Sequence, residues 1–296
     1  MRISTSEFIA LMAMLVATVA LSIDGMLPAL PHIAAQLSPE SPNQAQLILS
    51  SFVVGMALGT FVMGPLSDSF GRKRIIYFGA GLYVLSAAVC MMATSLETML
   101  FARLLQGIGA AGPRVVSHVL VRDLYSGREM ARISSFIMIV FALVPAMAPM
   151  LGAGVMIFFE WQAIFGVFIL FVIISTTWMG LRITEPVTAE NRVAFRYESF
   201  KSAVIEIMSL PIVRTAIVTL VFSYSILFTA LLLVQPVFDQ YFDRAVSFPF
   251  WFALISIFAA SASFVNAMLV MKLGMRRLVS AAFQVQVVWS ISMLLL

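Results

Sequence analysis

Two helix-length apolar runs, 45–63 and 75–94, are joined by the short charged segment Gly64-Pro65-Leu66-Ser67-Asp68-Ser69-Phe70-Gly71-Arg72-Lys73-Arg74. Apolar segments of that length can be joined so tightly only if both cross a bilayer and meet again at one face. The two glycines allow a sharp turn, and Arg72, Lys73 and Arg74 hold it on the cytoplasmic side, because cationic loops resist translocation. The joint therefore predicts a polytopic membrane protein of transporter type.

Composition agrees. Hydrophobic residues make up 61% of the chain and charged residues 11%, with a mean hydropathy of +1.03, far from the balance of a soluble domain. The polar breaks leave spans at 8–30, 45–63, 75–94, 98–120, 133–156, 162–181, 210–237, 248–271 and 278–296. With the N-terminus in the cytoplasm, 15 of the 18 Lys and Arg residues fall on that side. Arg244 alone lies in an outside loop, and Arg103 and Arg114 lie inside the fourth helix. The pI near 9.5 is thus a topology signal and calls for no nucleic-acid partner. The first span could be taken for a secretory signal, with Arg2 before its apolar run, but the run continues past Asp24 and further spans follow, so a retained helix is expected.

Enzymatic chemistry finds no support. Cys90 is the single cysteine, so neither an intrachain disulfide nor a cysteine metal site can form. No Ser-His-Asp or Cys-His grouping stands at a water-accessible position. The 20 methionines and 25 phenylalanines read mainly as lipid-facing and packing side chains. The fold class is an all-α polytopic membrane protein. Residues 1–181 form a six-helix bundle, 182–209 a cytoplasmic linker, and 210–296 a partial second bundle of three helices. In the linker, Val193, Phe195, Phe200, Val204 and Ile207 can form one apolar stripe on the membrane surface. Gly71-Arg72-Lys73-Arg74 has a weak echo 203 residues on, Gly274-Met275-Arg276-Arg277, which suggests parallel repeats with a site between the halves. The last apolar run ends at Leu296, and we read the second half as truncated.

The motifs carry a resemblance. Gly64 to Lys73 looks like motif A of the major facilitator superfamily, and Arg103-Leu104-Leu105-Gln106-Gly107-Ile108-Gly109-Ala110 is similar to its motif B. Ser22-Ile23-Asp24-Gly25-Met26-Leu27-Pro28-Ala29-Leu30-Pro31 and Val121-Arg122-Asp123-Leu124-Tyr125 resemble the Bcr/CflA-like drug:proton antiporters. Pro145-Ala146-Met147-Ala148-Pro149-Met150-Leu151-Gly152 resembles antiporter motif C, with Ala148 where many relatives carry Gly. The resemblance implies the major facilitator fold and a cytoplasmic gate latch of Gly64, Asp68, Gly71, Arg72, Lys73 and Asp123. It also implies an exchange or anti-leak role for Pro145, Pro149 and Gly152.

Asp24 is the residue of most interest. A carboxylate in a membrane helix is expensive and should face a cavity or a partner. Asp24 lies six residues before Leu30, and Arg103 six after Glu97, so both stand at similar depth, roughly 9 Å below one surface. They could form a static ion pair or a proton site, and the resemblance favours proton coupling. Gln106 lies one turn from Arg103 and Arg114 three turns, giving a basic stripe that should face a wet interior. Arg114 could meet an anionic substrate or bridge helices, and His118 reads as interfacial. Asp68 and Arg72 are spaced to pair, with Asp123 as a further partner for Arg72.

The expected function is proton-coupled efflux of small amphipathic or cationic compounds by alternating access. The chain would sit in a bacterial-type inner membrane with its N-terminus cytoplasmic, monomeric when full length. Its partners would be substrate, protons and lipid; the proton gradient, not a cofactor, would drive it. The alternatives are a solute importer of the same fold, or a transport-inactive truncated protein that needs a partner.

Overall fold

A computed structural model describes residues 3–186, 192, 197–244 and 247–295, and among these all regular structure is helical. The α-helices are α1 Thr5–Asp24, α2 Leu30–Leu37, α3 Leu47–Phe70, α4 Arg72–Met91, α5 Leu96–Leu124, α6 Gly127–Phe158, α7 Ala163–Arg182, α8 Tyr197–Ser209, α9 Pro211–Gln240, α10 Phe248–Leu273 and α11 Met275–Leu295. Among the described residues, six segments are long and apolar enough to cross a bilayer: Thr5–Leu37, Pro42–Phe70, Arg72–Met91, Gly127–Phe158, Ala163–Arg182 and Pro211–Asp239. The fold is an all-α polytopic membrane fold. Bulky apolar side chains such as Phe61, Leu85, Phe101 and Ile157 stand exposed on its flanks, as a lipid-facing surface requires.

Two expected features are corrected. The first span is not one helix over 8–30. It stops at Asp24, continues as a 3-10 turn at Leu27–Ala29, and resumes as α2. Gly25 is a poor helix former, and Pro28 and Pro31 lack the backbone N–H that a continuous helix needs. The expected turn over 64–74 shrinks to one residue. α3 runs on through Gly64 and Pro65, and Gly71, at φ 100°, alone separates it from α4. Gly64 therefore has no turning role. An L side chain rarely adopts the φ that Gly71 holds, which is why glycine stands there. Gly274, at φ 77°, joins α10 to α11 in the same way, so the weak sequence echo marks two joints of one construction.

α5 is the centre of the first helices, packed against α3 on one side and α4 on the other. Glycines set that closeness. A methyl group at Gly107 would lie 2.0 Å from the Phe52 carbonyl oxygen, and one at Gly109 would lie 2.5 Å from the Tyr83 nitrogen. Close backbone approach of this sort replaces the hydrophobic drive that water would supply to a soluble bundle. α1 packs on α6 and α7, and α6 also packs on α10, linking the early helices to the later ones.

The end of α1 farthest from Asp24 is tied by charge. Ser4 Oγ caps α1 by accepting from Glu7 N at 3.2 Å. The Glu7 carboxylate accepts from Arg182 Nε at 2.6 Å and Nη2 at 2.8 Å, and from Trp178 Nε1 at 3.2 Å, which fastens α1 to the end of α7. In α8, Phe200 and Val204 are half-buried and Ile207 is exposed; Val193 and Phe195 of the expected stripe lie outside the described residues. The side chains of Asn266, Lys272 and Arg276 also lie outside them.

Substituting Gly107 by alanine should cost about 1–3 kcal/mol, the usual range for overpacking. Thermal unfolding in detergent should show the drop, while Gly166→Ala, whose added carbon meets nothing within 4 Å, should leave the midpoint in place.

Candidate functional site

Arg103 is fully buried, and its geometry organises the site. Its Nη1 donates to Gln106 Oε1 at 2.7 Å, Nη2 to Ser22 O at 3.0 Å and Nε to Ile48 O at 3.3 Å. The guanidinium carbon lies 4.4 Å from the centre of the Phe52 ring. The acceptors come from α1, α3 and α5. The α1 acceptor has a clear origin. The last carbonyls of a helix have no intrahelical partner, and α1 ends two residues after Ser22. Arg103 acts as a cationic cap on that broken end.

Asp24 is nearly buried at the end of α1, yet among the described residues it forms neither an ion pair nor a hydrogen bond. The direct Asp24–Arg103 pair suggested by their matched depth is therefore absent. The two groups do share a level, since Arg103 reaches Ser22, but its donors are taken by neutral oxygens. Gln106 is fully buried, and its Nε2 has no acceptor among the described residues. Below it, Ser22 Oγ gives its one proton to Thr18 O at 2.6 Å, so Tyr83 must be the donor in the 2.5 Å Tyr83–Ser22 bond. Tyr83 was not singled out in the sequence. A tyrosine in an apolar run looks like packing until its hydroxyl is seen to brace α1.

Motif C meets this site directly. Pro145 and Pro149 lie within the continuous helix α6, and Gly152 presses onto the break after Asp24: an added carbon there would lie 2.1 Å from Gly25 O. Arg114, farther along α5, is half-buried, and its Nη1 touches Met56 Sδ at 3.5 Å. It does not extend the Arg103 network.

At the Gly71 end lies a second charged cluster. Arg72 Nε donates to Asp123 Oδ2 at 2.8 Å, Nη1 donates to Ser67 Oγ at 2.7 Å, and Nη1 also pairs with Asp68. Lys73 does not join this pairing; its Nζ donates to Gly180 O at 2.9 Å on α7. Sequence reasoning missed Glu185. Its two carboxylate oxygens accept from Arg72 N at 2.9 Å and Lys73 N at 3.0 Å, capping α4 from more than a hundred residues away. No local pattern announces a cap that arrives from the stretch following α7, so distant in the chain.

Membrane-length helices around buried charge, with a charged clasp across the ends of α3, α4 and α5, define a multi-pass membrane protein. Residues 11–296 match the model of the Major Facilitator Superfamily, and the chain belongs to that family. The chain is 32% identical over 284 residues to the bicyclomycin resistance protein homolog of Haemophilus influenzae, covering 96% of this chain and 71% of that one. It is 34% identical over 185 residues to the uncharacterized MFS-type transporter YdgK of Bacillus subtilis, covering 62% of this chain and 46% of that one. Multidrug resistance protein MdtL of Citrobacter koseri is 35% identical over 143 residues, 48% of this chain and 36% of its own. The match thus spans less than half the length of two of these relatives. Among solved structures, a D-xylose-proton symporter superposes with a TM-score of 0.68 at 13% identity, covering 91% of this chain and 70% of that one. That likeness shows the fold.

Replacing Arg103 by lysine keeps the charge but cannot serve Gln106, Ser22, Ile48 and the Phe52 face together. Loss of a charged hydrogen bond of this kind costs about 1.5–3 kcal/mol, so Arg103→Lys should unfold at a clearly lower temperature in detergent. An unchanged midpoint would show that these bonds do not hold α1 to α5.

Proposed function

We propose that this chain carries out proton-coupled efflux of small amphipathic or cationic compounds by alternating access. The observation that supports it most is Asp24: a membrane-embedded carboxylate without a fixed counter-charge, at the carbonyl end of a helix. Carbonyl ends already carry partial negative charge, so a carboxylate there makes an electronegative spot suited to a proton or an organic cation. Arg103 does not neutralise it, being engaged by neutral acceptors. Proton and substrate then compete for one group, which is the simplest exchange mechanism.

The other residues take supporting roles in this reading. Arg103 and Gln106 hold the broken α1 in place, and Gly152 with Pro145 and Pro149 shapes α6 against that break. The cluster of Asp68, Arg72 and Asp123 latches the cytoplasmic face, with Gly71 as its joint and Lys73 tying it to α7. Residues 1–181 act as one bundle, 182–209 as the connection and 210–296 as part of the second. The orientation is N-terminus inside, in a bacterial-type inner membrane, and the proton gradient replaces any cofactor. The resistance names of two relatives support export of foreign compounds.

Asp24→Asn is the test. In inverted membrane vesicles offered a fluorescent organic cation from outside, the variant should bind the dye about as well as the parent but lose uptake driven by an acidic lumen. Gradient-driven uptake that survives the substitution would overturn the coupling assignment.

A further inference from the structure

Among the charged groups of the first helices, Arg114 is the one whose setting the proposed cycle leaves unexplained. The register of α3 on α5 fixes where its side chain goes. Added carbons at Gly55 and Gly59 would meet the carbonyls of Leu104 and Ile108, so Met56 stands level with about Leu105. Arg114 begins nine residues farther on, roughly 13 Å along the axis. Its Nη1 nevertheless reaches Met56 Sδ at 3.5 Å. The side chain therefore runs back along α5, away from the Asp123 end and toward the middle of the bundle. An arginine whose charge sought only water would snorkel to the nearer surface instead.

Among the described residues nothing at that position balances the charge. A thioether is a weak acceptor and carries no charge. Among the described residues Arg114 makes no ion pair. Asp68 and Asp123 are committed to Arg72, and Asp24 is the one carboxylate in the interior of α1 to α7 that remains. His118 and Arg122 follow at one-turn spacing on α5 and make the region more positive. Arg103, on the same helix, shows the contrast: it is buried with oxygen acceptors and an aromatic face, whereas Arg114 is half-buried with a sulfur. A membrane-embedded charge held this way marks a ligand path.

We propose that Arg114 is an anion-recognition point of that path and receives the carboxylate of an amphipathic compound. The planar guanidinium fork matches a carboxylate with two parallel hydrogen bonds, a geometry that lysine cannot copy. The preferred cargo is then an amphipath with a carboxylate at one end, its other end free to carry a cation for Asp24. This deepens the reading of the bundle interior as the substrate path and rests on it.

Rhodamine B and its ethyl ester form a matched probe pair, differing in whether the carboxylate is free. Binding of each to the purified chain is read by fluorescence anisotropy. Arg114→Gln should weaken rhodamine B at least tenfold and shift the ester less than twofold, while Arg114→Lys should keep part of the preference. The ester doubles as the check that the variant still holds a folded site. Unchanged rhodamine B affinity, equal loss of both dyes, or a parent chain that binds neither would overturn the proposal. Failure of proton coupling alone would look different: gradient-driven uptake would survive Asp24→Asn while the dye preference stayed tied to Arg114.

Discussion

A guanidinium cannot sit in an apolar interior without oxygen acceptors, and the arrangement around Arg103 follows from that demand. One acceptor is a carbonyl that exists only because α1 breaks at Asp24. A continuous first helix would have spent Ser22 O on its own backbone. The break thus supplies Arg103 with a partner, and the same break leaves the Asp24 carboxylate without one. Burial of the cation and freedom of the anion are two results of one interrupted helix. Fixing Arg103 by backbone carbonyls also makes its position independent of whatever Asp24 binds.

The clasp at the other end of the bundle is built on the opposite plan. Arg72 is surrounded by carboxylates, Asp68 and Asp123, with Ser67 completing the set. Arg72 itself is buried, while Asp68 is half exposed and Asp123 partly so, so water reaches these pairs from the carboxylate side. A neutral, backbone-based hold in the middle and a charged, partly wet hold at the end suit a fixed centre and a releasable edge. Glu185 adds a third carboxylate to the edge by capping the first turn of α4.

Much of the fold was legible because a bilayer imposes it. Apolar runs of fixed length, cations at their ends and glycine at the joints are visible without any tertiary information. The spans 45–63 and 75–94 were read correctly as adjacent helices, yet the charged joint between them was drawn too long, since hydropathy registers polarity and not helicity. Ser67, Asp68 and Arg72 are polar and still helical. The site was legible as a list of residues and less so as contacts. Asp24 and Arg103 stand out as charges in apolar helices, but opposite charges at one depth suggested a pair, and backbone carbonyls, which the sequence does not advertise, took the bonds instead. Tyr83 and Glu185 act across elements far apart in the chain, where no spacing rule reaches.

Where α6 crosses the break in α1, backbone lies on backbone, with Gly152 against Gly25 and no side chain between them. Interlocked side chains resist sliding because each rotamer must be unseated before its neighbour can pass. A contact of bare peptide has no such teeth. It behaves as a smooth bearing, close enough to exclude lipid and water yet with little roughness opposing a rocking motion. The close seam beside Asp24 is therefore also one across which two helices can turn with little friction.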